Sequence, residues 1–214
     1  MIKGEAFSLE TMEIGALGAA EMDEAVGVKV RGMRDNPVIV AAFGQDPVTR
    51  HRRLLRLFGA MAAAEMPGRD RDMLAARGPD GLILAVCGVM PPGRCQPGLG
   101  RQLRLLPALL ALGPRGAGRT MSWFGAWSKH DPDERHWHLG PVAVDANLQG
   151  MGVGSMLMRV FCEKMDEAAE DAYLETDKEI NVRSYEKFGF EMTGEDEVLG
   201  VHNWYMFRRA RKRD

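Results

Sequence analysis

Cysteine is scarce in this sequence. Cys87, Cys95 and Cys162 are the only three among 214 residues, and no two of them stand in a CxxC spacing. A sparse, odd-numbered set excludes a disulfide-framed scaffold and predicts a reduced, cytoplasmic setting. Net charge is nearly absent as well: 28 basic against 30 acidic side chains leave −2. That balance gives no bulk attraction to nucleic acid or to acidic lipid surfaces, and neither is expected as a partner. Long apolar runs are missing. The most apolar stretch, Leu99 to Leu112, is interrupted by Arg101, Arg104 and Pro107, too short and too charged to span a bilayer. The start, Met1-Ile2-Lys3-Gly4-Glu5, lacks a basic segment followed by an apolar one, so no secretory signal is expected. The basic end, Arg208 to Arg213, reads as a solvated tail.

What is present is an ordinary core-forming composition, 45% apolar and 27% charged. Residues up to about Glu13 alternate weakly, as an edge strand would. Ala19 to Met33 carries acidic residues early and basic ones late, the order the helix dipole favours. Asp46 and Pro47 supply a cap and a first turn for a helix running to Ala64. Asp72–Arg77 and Leu82–Met90 read as strands joined by Gly78-Pro79-Asp80-Gly81. A helix is expected from Gly98 to Leu112, kinked or split at Pro107 and ended by Gly113-Pro114-Arg115-Gly116. Another follows from Arg119 to Lys129, with Trp123, Phe124 and Trp127 lining either a core or an acceptor pocket. Residues 91–129 are long for a connection between strands and read as an inserted helical segment on the acceptor side.

From Arg135 onward the pattern sharpens. His136–Val144 reads as a strand, Gln149-Gly150-Met151-Gly152-Val153-Gly154 as a glycine-rich turn, and Val153 to Ala168 as an amphipathic helix. Tyr173–Thr176 follows as a strand and Asn181–Phe188 as a short helix. Two further strands lie near Phe190–Gly194 and Trp204–Arg208. The expected class is α/β or α+β with a mixed sheet.

A strand, a glycine-rich turn and a helix start make an anion site. The first helical amides have no intrahelical partner, and the helix dipole adds positive charge there. Main-chain amides from Met151 to Ser155 can therefore converge on a pyrophosphate. No Lys-Ser or Lys-Thr follows, which excludes a P-loop. A Rossmann turn misses its third glycine by one position, although Glu175 stands about 20 residues later. A tight turn with no ligand is the remaining reading.

Gln149-x-x-Gly152-x-Gly154, after Val142-Ala143-Val144-Asp145, resembles the acetyl-CoA signature of the GCN5-related N-acetyltransferase (GNAT) superfamily. Leu174-Glu175-Thr176 followed by Asn181-Val182-Arg183-Ser184-Tyr185-Glu186-Lys187-Phe188-Gly189-Phe190 is similar to that family's next strand and helix, in particular to the subgroup around puromycin N-acetyltransferase. The resemblance covers about residues 135–209, which it makes the acetyl-CoA-binding core of a single 1–214 domain. It implies a mixed, mostly antiparallel central sheet with flanking helices, whose fourth and fifth strands splay apart around coenzyme A. It implies direct transfer of the acetyl group from acetyl-CoA to a primary amine of a small molecule, in a ternary complex. A binding domain with little catalysis and a protein acetyltransferase, acting on lysines or N-termini, are the alternatives.

Residue by residue, the resemblance assigns Val142, Ala143 and Val144 to the pantetheine arm and Gln149, Gly150, Met151, Gly152, Val153, Gly154 and Ser155 to the pyrophosphate. Asn181, Ser184 and Tyr185 fall beside the cofactor. Ser184 departs from the aromatic or aliphatic residue common there. Tyr185 matches the acid that protonates the leaving thiolate, and an amide near Val144 would hold the oxyanion. The base that deprotonates the amine falls among His136, His138 and Glu175. His136 and His138 share a strand face, where a metal is the other option. No third ligand is apparent in the sequence, so no metal is expected. A homodimer fits the family.

Overall fold

The structure is a computed structural model that describes residues 8–64, 73–95 and 98–211. Seven strands form one sheet in the order β1-β2-β3-β4-β5-β7-β6. They are β1 (Glu13–Ala16), β2 (Leu74–Arg77), β3 (Ile83–Met90), β4 (Trp137–Val144), β5 (Ala172–Thr176), β6 (Glu191–Val198) and β7 (Val201–Arg208). Every neighbouring pair is antiparallel except β4 and β5, which run parallel. The helices are α1 (Met22–Met33), α2 (Pro37–Phe43), α3 (Pro47–Ala64), α4 (Leu99–Leu110), α5 (Gly113–Lys129), α6 (Val153–Ala168) and α7 (Glu179–Glu186).

Alternation along the strands sends side chains to two different cores. On one face Leu74, Ala85, Cys87, Leu139 and Leu174 meet Leu157, Phe161 and Met165 of α6. On the other, Ala75, Val86 and Ala143 meet Ala25 and Val28 of α1. A third cluster joins α1, α2, α3 and α5 through Val30, Phe43, Leu54, Leu57 and Trp123. Trp123 is buried there, with the partly buried Phe124 and Trp127 packed against the cluster, so these aromatics contribute to a core.

Several elements differ from the sequence expectations. The N-terminal strand starts at Glu13, where it was expected to end; Leu9–Thr11 is a single 3-10 turn capped by Ser8, whose hydroxyl accepts from the Glu10 amide at 3.2 Å. Residues 1–7 and Asp72 lie outside the described residues, as do Lys212 and Arg213 of the tail. Helix α2 was not expected. Asn36-Pro37 marks its start, but its β-branched run favours strand, and Asp177 Oδ2, distant in sequence, accepts the Val38 amide at 2.8 Å. Pro107 lies inside a continuous α4 and does not split it. Residues 113–116 open α5 instead of breaking the chain, with Pro114 tolerated in the first turn. Strands β6 and β7 are longer than expected. Charged β6 is an edge strand with its side chains largely exposed, and such a strand carries no apolar alternation to read. Leu99, Leu103, Leu106 and Leu110, on one stripe of α4, are exposed.

Candidate active site

The parallel ladder between β4 and β5 is only two pairs long, Trp137 with Ala172 and His138 with Tyr173. Beyond His138 the strands part. On its other edge β4 stays paired with β3 as far as Val144, through a bulge at Gly88 where a Cβ would come within 2.6 Å of Gly140 O. The Asp145 amide donates to Leu84 C=O at 2.9 Å, towards β3. Alternation therefore turns the Val144 and Val142 amides to the edge that β5 has left. Ala143 is buried against α1, and by the same alternation its amide faces β3, so it offers no donor to that edge.

At the end of β4 the chain turns sharply into α6. Gly150 has φ +80° and Gly152 has φ +89°, left-handed values that a side chain disfavours. Gly152 is the N-cap and supplies no side-chain cap. Among the described residues, the amides of Gly152, Val153, Gly154 and Ser155 have no hydrogen-bond partner. Four orphan donors at the positive end of a 16-residue helix fit a pyrophosphate. A Cβ at Gly152 would meet the Leu9 side chain at 3.0 Å, and one at Gly154 would meet Val144 Cγ2 at 3.3 Å. Val153 faces the core, while Met151 and Ser155 are exposed at the rim.

Gln149 holds the turn in place. Its Nε2 donates to Gly32 C=O at 2.8 Å and to Val144 C=O at 3.3 Å. Gly32 permits this approach of α1, because a Cβ there would sit 2.3 Å from Val144 O. Arg31 adds a 2.7 Å bond from Nε to Asp145 Oδ2. On the far side of the splay, Asn181 Nδ2 donates to Thr176 Oγ1 at 3.1 Å, and the Ser184 hydroxyl donates to Ile180 C=O at 3.1 Å. Tyr185 packs against the α6-side core, its ring 6.0 Å from that of Phe190. Burial pushes its hydroxyl well above the usual tyrosine range, so it stays protonated.

The fold has known counterparts. Residues 117–190 match the acetyltransferase (GNAT) family. The fold of the chain resembles a Corynebacterium glutamicum protein described as histone acetyltransferase HPA2 and related acetyltransferase. There the TM-score is 0.68 at 20% identity, over 95% of this chain and 98% of that one. It also resembles the Drosophila melanogaster polyamine N-acetyltransferase, with a TM-score of 0.61 at 10% identity, over 92% and 99% of the two chains. A GNAT acetyltransferase from Brucella melitensis, solved with acetyl-CoA, gives 0.50 at 16% identity over 95% and 93%.

The other end of β4 is built differently. His138 Nε2 meets Glu175 Oε2 at 2.8 Å, and His136 Nδ1 meets Glu134 C=O at 2.7 Å. Asp131 and Cys95 join them, neither of them expected from the sequence: Asp131 Oδ1 lies 3.2 Å and Cys95 Sγ 3.5 Å from His136 Nε2. Burial opposes charge on His136, yet its bonds to Asp131, Cys95 and Glu134 outweigh that and lift its pKa to about 10. Burial likewise opposes charge on His138, and Glu175, Asp131 and Cys95 overcome it. The two imidazoles in turn hold Asp131 far below the usual carboxylate range against its own burial. The other cysteines are inert by comparison: burial drives Cys87 to about 12 and Cys162 to about 11. Nothing in the spacing announces this cluster, since Cys95 and Asp131 enter from the two ends of the α4–α5 segment.

Proposed function

We propose that this protein transfers the acetyl group of acetyl-CoA to a primary amine of a small molecule, by direct attack within a ternary complex. The observation that carries this reading is the uncapped, glycine-lined start of α6 beside a strand edge that β5 has vacated. Acetyl-CoA supplies an acetyl thioester, which an amine attacks at the carbonyl carbon with loss of the thiol.

The protein's own groups have separable tasks. The amides of Gly152 to Ser155 would bind the pyrophosphate, with Gly150 and Met151 shaping the approach and Gln149 fixing the turn. Val142 and Val144 present amides along the free edge, and that of Val144 is the oxyanion donor. Tyr185 is the acid for the departing thiolate, and Asn181 and Ser184 flank it. Of the three groups read as bases, His136 and His138 are held as cations by their acidic neighbours. Glu175, with one oxygen on His138 and side chain almost wholly enclosed at the splay, is the proton acceptor.

The Drosophila neighbour is described as an enzyme that forms N-acetylagmatine, which supports a small amine as acceptor. An amine like those of the puromycin-acetylating subgroup is a second member of the same class. The reading treats residues 1–214 as one acetyltransferase unit, acting in the cytoplasm as a monomer or homodimer. Among the described residues no helix is long and apolar enough to cross a membrane.

Calorimetry with acetyl-CoA, followed by thiol release across a panel of amines, tests the proposal. Saturable binding with turnover of at least one amine is the expected result. Binding without turnover across the panel would leave only a coenzyme A-binding role.

A further inference from the structure

Four side chains from three stretches of chain bring donor atoms together at the start of β4. Cys95 Sγ is 3.5 Å from His136 Nε2. Asp131 Oδ1 is 3.2 Å from that nitrogen and 3.7 Å from His138 Nδ1. All four donors lie within 4.8 Å of one another. A tetrahedral Zn²⁺ with bonds of about 2.0–2.3 Å separates its ligands by about 3.3–3.8 Å. The separations of 3.2, 3.5 and 3.7 Å lie at or close to that range, and the set as a whole stays within 4.8 Å.

The outward contacts agree. A histidine that ligates a metal through one nitrogen commonly donates its other N–H to a carboxylate or a backbone carbonyl. His136 meets Glu134 C=O through Nδ1 at 2.7 Å, which directs Nε2 at the cluster. His138 meets Glu175 through Nε2 at 2.8 Å, which directs Nδ1 at the cluster. Among the described residues, buried His138 Nδ1 has no hydrogen-bond partner, Asp131 Oδ1 standing 3.7 Å away. Buried polar atoms are seldom left this way, and a cation at the centre of the four donors would satisfy it. One thiolate, one carboxylate and two imidazoles, whose cluster-facing nitrogens release their protons when the ion binds, also balance a divalent charge, and thiolate with imidazole favours zinc over magnesium or calcium.

We propose that Cys95, Asp131, His136 and His138 form a closed, four-ligand Zn²⁺ site that fastens the α4–α5 segment to the sheet. Cys95 stands just before α4 and Asp131 just after α5, so one ion ties both ends of this segment to β4. Four protein ligands leave no open position, which makes the ion a structural clamp. A Cys95–His136 thiol pair is the rival chemistry, but Asp131 competes for the same imidazole nitrogen.

The test uses the full chain, stripped with a chelator. Zn²⁺ is titrated against a chromophoric competitor, and Co²⁺ is used as a spectroscopic probe. The expected result is one equivalent of Zn²⁺ held with submicromolar affinity. Co²⁺ should give tetrahedral visible bands and a thiolate charge-transfer band. Cys95→Ser and His138→Gln should each weaken Zn²⁺ binding by about 100-fold or more, and the charge-transfer band should vanish in Cys95→Ser while persisting in Cys162→Ser. Gly152→Glu should retain the ion, so loss of acetyl-CoA binding and loss of metal binding are separable. If the wild-type chain takes up no Zn²⁺ against the competitor, or if Cys95→Ser leaves the cobalt spectrum unchanged, the proposal is overturned. Rapid alkylation of Cys95 without any metal uptake would assign the pair to thiol chemistry instead.

Discussion

The two ends of strand β4 carry two kinds of site. At its C-terminal end the donors are main-chain amides, gathered by glycines with positive φ within a single short turn. At its N-terminal end the groups are side chains, drawn from the β3–α4 connection, the α5–β4 connection, β4 and β5. The first is a contiguous backbone device whose chemistry depends little on side-chain identity beyond glycine. The second is an assembly in which each member sets the charge of the next. A backbone site is disabled by adding atoms, and a side-chain site by changing them.

The largest expected effect tests the backbone end. Gly152→Glu places a side chain and a negative charge where the amides converge, and acetyl-CoA affinity should fall by about 100-fold or more. Calorimetry on a variant whose circular dichroism matches wild type reads this; unchanged affinity would remove the cofactor assignment. The side-chain end should answer in rate instead. Glu175→Gln keeps an oxygen for His138 but cannot take a proton, so kcat should fall by about 100-fold with acetyl-CoA affinity unchanged. Equal turnover would dissolve the contrast.

Tyr185→Phe sharpens it further, because the residue lies on the opposite face of the sheet from the histidines. Loss of the donated proton should lower kcat by about 10- to 100-fold and leave acetyl-CoA affinity alone. A fall in affinity with kcat intact would make Tyr185 a packing residue. Gln149→Ala removes the tie from the turn to α1 and β4, worth about 1 kcal/mol, so acetyl-CoA affinity should weaken only several-fold. An effect as large as that of Gly152→Glu would show that the side chain, not the backbone, dominates the turn.

The smallest effect is a control away from both ends. Arg77 Nη2 pairs with Glu21 Oε2 at 2.6 Å, and the Arg77 hydrogen bond, aided by the Gly18 amide, brings the Glu21 pKa down to about 2. A carboxylate with a depressed folded pKa stabilises the protein above its unfolded pKa, and loses that contribution as pH falls towards the folded value. Arg77→Ala should therefore cost less than about 1 kcal/mol at neutral pH, read as a small drop in Tm. The difference from wild type should shrink as pH falls from about 4.3 towards 2. A constant difference across that range would mean the loss came from packing.

How much was legible follows from the same contrast. The turn, α6, β5 and α7 were readable because their signals are local: glycine spacing, helical periodicity and a short helix followed by Gly189 in a left-handed conformation. Helix α2 was not, since its amides lean on Asp177, which only the fold brings near. The length of β6 was hidden because an edge strand with both faces exposed has no apolar alternation. The pair His136 and His138 was visible on one strand face, while Cys95 and Asp131 were not, because no spacing rule links residues that meet only when α4 and α5 fold back on the sheet.

By itself, the sequence determined where an anion could bind and which backbone would hold it, since glycine conformations and helix starts are properties of neighbouring residues. Only the tertiary structure decided that β5 leaves β4 after His138, and that the aromatics of α5 belong to a core. It alone gathered a thiol, a carboxylate and two imidazoles into one cluster, because such contacts depend on how distant segments pack.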